Sequence, residues 1–293
     1  EVKRYGTDEY RTADDKFKVK YYLKKKETTA LAGMVTGFVS TALLLLISLI
    51  AKGESDGGAG FIVLSLVLTA IAVAVNINII SDGVKAFKGF RLNRNTGAFV
   101  GIVATVVQNC VLLATDAPFE TGVSLFSASA VLALSMNVAG EFLELKRIAH
   151  NFDYLCSREN IYSINHIEKE ETAFEIGRGL LLDSPEVLSS QKTLFPRRFI
   201  ELSRKHYPSD EISRKLIPIG FVASVVVGVL TLLITKDIRN AVTAFCGAVC
   251  VSVPYFSCIA DSVAVSKVSK KLISNGAMLS GWQAYKMCEE SNA

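Results

Sequence analysis

The chain has 293 residues, of which 50% are hydrophobic and 20% charged, with six cysteines and a formal net charge of +4. Its mean hydropathy of +0.35 is too high for a chain this charged unless the two properties are segregated along the sequence, which describes a membrane protein with water-facing segments. The cysteines lie in or beside apolar runs and form no CxxC pair, which excludes a secreted disulfide framework and leaves them as small apolar fillers or soft ligands. The first residue is Glu1 and no charged start, short apolar run and cleavage site follow it, so no signal peptide is expected and the chain reads as a piece of a longer protein.

A membrane-crossing helix needs about 20 mostly apolar residues. Six stretches qualify, at 29–51, 60–80, 97–115, 119–140, 216–235 and 240–262. The expected fold is therefore an α-helical membrane protein of six transmembrane helices in three hairpins, with a small cytosolic α+β insert. Residues 1–28 form a basic tail with Lys16, Lys18, Lys20 and Lys24 to Lys26. Lys85, Lys88, Arg91 and Arg94 make the second loop basic, and Lys267, Lys270 and Lys271 do the same for the last segment. Excess Lys and Arg marks the cytoplasmic side, which places both termini and the large insert there. Beside a span, such a cluster faces anionic headgroups rather than nucleic acid.

Residues 141–215 form the soluble segment. The fourth span is expected to continue into it as a stalk, because Phe142, Leu143, Leu145, Ile148 and Phe152 keep a helical period. Beyond the stalk, "IYSINHI" predicts a strand, "KEETAFEIGRGLL" a helix, "EVLSSQKTL" a second strand and "RRFIELSRKH" a further helix. Span residues 216–262 follow, and 263–293 read as a second stalk.

Chemistry concentrates in "CVSVPYFSC", Cys250 to Cys258. Pro254 lacks an N–H and pushes away the carbonyl four residues earlier, so the Cys250 carbonyl loses its helical partner. A free carbonyl at membrane depth requires protein or a water-lined cavity to satisfy it. Cys246, Cys250, Pro254 and Cys258 recur every four residues, with Ser252 and Ser257 nearby. Thiolates there suit a transition-metal cation such as Cu(I) or Zn(II), and simple packing explains the same stripe. Asn76, Asn78, Gln108, Asn109 and Asn137 are read first as interhelical hydrogen-bond donors, and Asp261 as a boundary carboxylate. His150, His166 and His206 have no HExxH context, and no phosphate loop or nucleophile–base pair is present, "GRG" at 177–179 being too short to count. No catalytic or cofactor-binding residue is therefore assigned.

The order of these pieces resembles the membrane domain of P-type ATPases of the heavy-metal-transporting branch. "AGEFLELKRIAHNFDYL" is similar to the exit of that family's core helix two through Gly140, Leu143, Glu144 and Ala149; "SDEISRKLIPIGF" is similar to the start of core helix three through Asp210, Arg214 and Pro218. After Pro254, Ala260, Ala264, Asn275 to Leu279, Gly281 and Ala284 stand at the family's offsets. The resemblance implies a metal cation as transported substrate, with Cys250, Ser252, Pro254 and Cys258 forming its site with Asn109 or Asn137. It also implies a bacterial-type plasma membrane as location and an amphipathic run from Ser262 to Lys271 leading to ATP-binding and phosphorylation domains, where ATP and Mg would act. Three departures accompany it. The actuator's Thr-Gly-Glu loop is absent from 141–215, which makes the insert short and degenerate; the position of the family's CPC motif reads Val253, Pro254, Tyr255. The nucleophilic aspartate of DKTGT would fall about four residues beyond Ala293. The chain alone is thus not expected to catalyse. Two functions follow: a P-type-ATPase-like cation transporter, or a catalytically inactive pseudo-pump serving as a membrane scaffold or regulator. A secondary transporter would show inverted repeats, which the sequence lacks.

Overall fold

The computed structural model describes residues 15–51, 58–115, 125–158, 160–166, 170–178, 187–193, 199–205 and 207–290. The tail before residue 15, the first turns expected for the fourth span and His206 lie outside them. In chain order the elements are α1 (Lys16–Ala51), α2 (Gly58–Val75), α3 (Ile77–Lys88), α4 (Arg94–Ala114), α5 (Ser127–Cys156), β1 (Ile161–His166), α6 (Glu170–Ile176), β2 (Leu188–Thr193), α7 (Phe199–Ser203), α8 (Pro208–Thr235), α9 (Ile238–Ser252), α10 (Ser257–Ser274) and α11 (Trp282–Glu290). The chain divides into two compact units, one of residues 27–144 and 207–264, the other of 1–26, 145–206 and 265–293.

The first unit is an apolar helical bundle. Among the described residues, five helical stretches that lie wholly or partly in it are long and apolar enough to cross a membrane, α9 and α10 counting as one, and α2 with α3 makes a sixth if a bent pair is one span. Here the expectation from sequence needs correction, because the stretch 60–80 is not a straight helix. It turns by 86° at Asn76, and α3 leaves with an apolar side made by Ile79, Ile80 and Gly83. The first expected span also differs, since its helix already starts at Lys16 and takes up the basic tail.

The unit's composition is inverted relative to a water-soluble protein. Leu45, Leu46 and Leu49 of α1 and Val222, Leu233 and Ile234 of α8 are exposed, whereas Ser40, Thr41, Thr69, Thr105 and Ser135 are buried. Lipid gives apolar groups no reason to leave the surface, so close packing of small residues and internal polar bonds hold such helices together. Ala72, Ala98, Ala104, Ala128 and Ala130 accordingly fill much of the core. Buried hydroxyls bond back to their own helices, as in Thr41 to the Gly37 carbonyl (2.9 Å) and Ser135 to the Val131 carbonyl (2.7 Å).

The second unit has an ordinary core. Val19, Leu23, Ile148, Phe152, Leu155, Phe199 and Ile200 are buried together, and the helical period of 142–152 persists as α5 runs to Cys156. β1 and β2 pair antiparallel, Ile161 opposite Thr193 and His166 opposite Leu188. Arg147 of α5 is buried and donates to two carbonyls, that of Ser280 (2.9 Å) and that of Ser203 (3.0 Å), while Asn151 donates to the Leu279 carbonyl (3.3 Å). The glycine at 281 permits this clamp, because a Cβ there would stand 2.7 Å from the Leu202 carbonyl oxygen. His150 is exposed on α5.

Candidate functional site

The break between α9 and α10 is the centre of the first unit's chemistry. α9 starts with Asp237 capping the Arg239 N–H (2.9 Å) and ends at Ser252. Val253 turns extended, and Pro254 cannot donate. The Cys250 carbonyl is thereby released, as the sequence implies, yet it is not left open. The Tyr255 hydroxyl swings back and donates to it at 2.8 Å, and the Val253 N–H approaches it more weakly at 3.4 Å. The same hydroxyl lies 2.6 Å from Ser129 Oγ of α5, so the carbonyl is closed by a two-hydroxyl chain reaching a neighbouring helix. Two residues escaped the sequence reading here, Tyr255 and Ser129. A hydroxyl one position after a helix-breaking proline was the available signal.

Other helices approach the break through residues with little side chain. Gly97 of α4 faces Val253 and Pro254, where a Cβ would be 3.2 Å from the nearest Val253 methyl. Gly140 of α5 lies so close to Cys258 that a Cβ would overlap its sulfur. The Cys258 thiol points to the Asn137 carbonyl (3.7 Å), and Ser262 donates to the Gly140 carbonyl (2.9 Å). These contacts hold the first turn of α10 against α5.

The residues expected to bind metal are distributed as follows. Cys250 is buried, one helical turn from the equally buried Cys246. Ser252 donates to the Ala248 carbonyl in its own helix (2.8 Å) and faces Gly220. Cys258 and Asn137 meet each other, as above. Asn109 donates to Ser127 Oγ (3.0 Å), and Gln108 to Thr243 Oγ1 (3.4 Å). Among the described residues no group of three or more His, Cys, Asp or Glu side chains is arranged to hold a metal ion. The amides therefore do what interhelical amides usually do: Asn76 donates to the Gly33 carbonyl of α1 (3.3 Å) and Asn137 to the Arg94 carbonyl of α4 (2.9 Å).

A second polar group lies at the first turn of α4. Asn93 caps that helix, accepting from the N–H groups of Asn95 and Thr96 while Thr96 Oγ1 accepts from the Asn93 N–H. Arg94 is half-buried and pairs with the nearly inaccessible Glu144 of α5 at 2.7 Å, the side chains being 14% and 2% exposed. Its guanidinium also lies 4.6 Å over the Tyr207 ring, a cation–π contact that replaces some lost hydration. Two carboxylates then cap helices other than their own. Asp210 accepts from the Arg94 N–H (3.0 Å), and Asp261 from the Ser209 N–H at the start of α8 (2.8 Å). Asp261 is half-buried, so its boundary position carries a specific structural task.

No protein-family model matches the chain, and no curated protein matches it.

Proposed function

We propose that the chain is the membrane part of a P-type-ATPase-like protein that acts as a catalytically inactive scaffold or regulator. One observation supports this above the others: the carbonyl freed by Pro254, the natural ligand at such a break, is occupied by the Tyr255 hydroxyl. A carbonyl has two lone pairs; with the Tyr255 hydroxyl at 2.8 Å and the Val253 N–H at 3.4 Å both directed to it, this one offers an ion little unless a bond is broken first. The absence of a Thr-Gly-Glu loop from 141–215 supports the same reading. In it, both termini are cytoplasmic, the membrane is a bacterial-type plasma membrane, and the partners are the bilayer and the remainder of the same protein.

A cation-transporting pump is the second reading, favoured by the two buried thiols of Cys246 and Cys250 one helical turn apart beside the break. Two thiols suit a soft ion of low coordination number. The experiment that separates the readings uses the longer protein in native membranes. The scaffold reading expects no ATP-derived aspartyl phosphate and unchanged cellular metal tolerance when Cys250 and Cys258 are both replaced by Ala. Metal-dependent phosphorylation, or tolerance lost in that double variant, overturns it in favour of the pump.

A further inference from the structure

The turn that ends α3 places an aromatic ring where the backbone favours glycine. The Phe90 N–H donates to the Phe87 carbonyl (3.2 Å) and the Arg91 N–H to the Ala86 carbonyl (3.0 Å), the paired bonds of a Schellman closure. That closure holds residue 90 in the left-handed region, with φ of 51°. Glycine is preferred there because a Cβ crowds the backbone carbonyl. A glycine stands one position earlier, at 89, and Phe occupies the strained site instead. The protein gives the ring nothing in return, since Phe90 is 93% exposed. A bulky apolar group held in an unfavourable conformation and presented outward indicates a contact outside the protein.

Two independent observations give the level at which the ring lies. α3 turns through 86° from α2, so if α2 crosses an apolar layer, α3 runs along its surface. On its buried side, Gly83 packs on Asn95 and Phe99, and the Phe87 and Phe99 rings are 5.9 Å apart. Those partners belong to the first two turns of α4, itself long and apolar enough to cross. Both routes put α3 at the boundary between apolar layer and water. The charge around the ring is basic: Lys85, Lys88 and Arg91 are exposed, and the only acid of α3, Asp82, stands 3.9 Å from Lys85.

We infer that the end of α3 is an interfacial anchor for an anionic phospholipid surface. The Phe90 ring enters the boundary between headgroups and acyl chains, and Lys85, Lys88 and Arg91 meet the headgroup phosphates. An apolar side chain at this depth gains from leaving water, and each basic residue close to an anionic surface adds attraction that salt weakens. The inference rests on the chain being a membrane protein and is independent of the choice between scaffold and pump.

The test uses the full chain in vesicles. Trp282→Phe removes the single native tryptophan, and Phe90→Trp reports from the anchor. With phosphatidylserine present, the expected result is blue-shifted emission quenched several-fold more by lipids brominated near the headgroup end of the acyl chain than by aqueous acrylamide. Adding Lys85→Gln and Lys88→Gln should reduce that quenching to its level in neutral vesicles. Water-like emission quenched by acrylamide alone, or equal bromine quenching in neutral and anionic vesicles, would overturn the inference. A second variant separates anchoring from folding. Phe90→Gly should leave the detergent unfolding temperature unchanged or higher, and lose the extra stability the wild type gains on transfer from detergent to anionic vesicles; a fall in detergent stability would contradict the assignment.

Discussion

Two helices of the apolar unit are interrupted, and they are interrupted by different chemistry. At Pro254 the backbone has no choice, because a missing donor and a displaced carbonyl stop α9, and side chains from the break and from α5 then satisfy the freed group. At Asn76 no proline is present. The Asn76 side-chain amide donates both to the Ala72 carbonyl of its own helix (3.0 Å) and to the Gly33 carbonyl of α1, while the Asn76 backbone carbonyl accepts from the N–H groups of Ile79 and Ile80. The first interruption is imposed by covalent structure and then repaired. The second is made by a polar side chain competing with the helix's own bonds and by a neighbouring helix that accepts it. Helices in lipid can thus be bent with no proline at all, provided the polar groups exposed by the bend find partners in the protein.

The first two turns of α4 receive Gly83 of α3, two turns past the bend at Asn76, and also Val253 with Pro254 at the other break. Loosening that wall should therefore disturb both and produce the largest effect. Arg94→Ala removes the guanidinium that lies 2.7 Å from the buried Glu144 carboxylate, and should cost about 3–5 kcal/mol in denaturant unfolding of the detergent-solubilised chain. Replacing both partners by apolar residues, Arg94→Met with Glu144→Leu, should recover most of the loss. An Arg94→Ala chain as stable as wild type would remove α4 as the common support.

Treating the two interruptions separately sharpens the contrast. Tyr255→Phe keeps the ring but strips the Cys250 carbonyl of its hydroxyl donor, with an expected cost of about 1–3 kcal/mol. Ser129→Ala should then add little in the Tyr255→Phe background, because both act through one chain of bonds. At the other interruption, a Cβ on Gly33 would overlap the Asn76 amide oxygen. Gly33→Ala should cost about 1–3 kcal/mol by overpacking, and Asn76→Ala should relieve part of that penalty rather than add to it. Fully additive losses would show that the amide and the glycine do not act together.

The smallest effect concerns the ordinary start of α9. The Arg239 backbone N–H, then its side chain, hold the Asp237 carboxyl below its usual value. The sign follows from linkage: a lowered folded-state value adds stability that is present above the ordinary carboxyl pKa of about 3.9 and is lost as pH falls through the folded-state value. Asp237→Asn should therefore lower stability slightly at neutral pH, leave it unchanged at pH well below the folded-state value, and so flatten the acid limb of the stability profile. The carboxyl is half-buried and within reach of water, so the change should be small and diminished by salt.

Much of the fold is legible in the residues because membrane helices declare themselves by length and composition. The two strands and the stalk continuation of α5 follow from periodicity, and the proline break from a single residue type. What escapes has a common cause. The bend at Asn76 depends on Gly33, distant in sequence, being small enough to receive the amide. The closure at Pro254 depends on Ser129 standing opposite Tyr255 across two helices. Arg94 reads as one more cation of a basic loop, and its burial depends on Glu144 and Tyr207 reaching it from α5 and from the start of α8. Each is a pairing between segments, which spacing within one segment does not encode. The same limit applies to the candidate site, where the four-residue recurrence of cysteines suggests a shared face, yet the helix breaks between Cys250 and Cys258, and the Cys258 thiol turns to the Asn137 carbonyl of α5.

The closed carbonyl at the proline break is the centre of this account, and metal titration of the purified chain tests it most directly. Thermal unfolding and equilibrium dialysis with Cu(I) and with Zn(II) should show no metal-dependent shift and no stoichiometric binding for the wild type. Stoichiometric binding that raises the unfolding temperature and disappears in the Cys250→Ala, Cys258→Ala variant would contradict it.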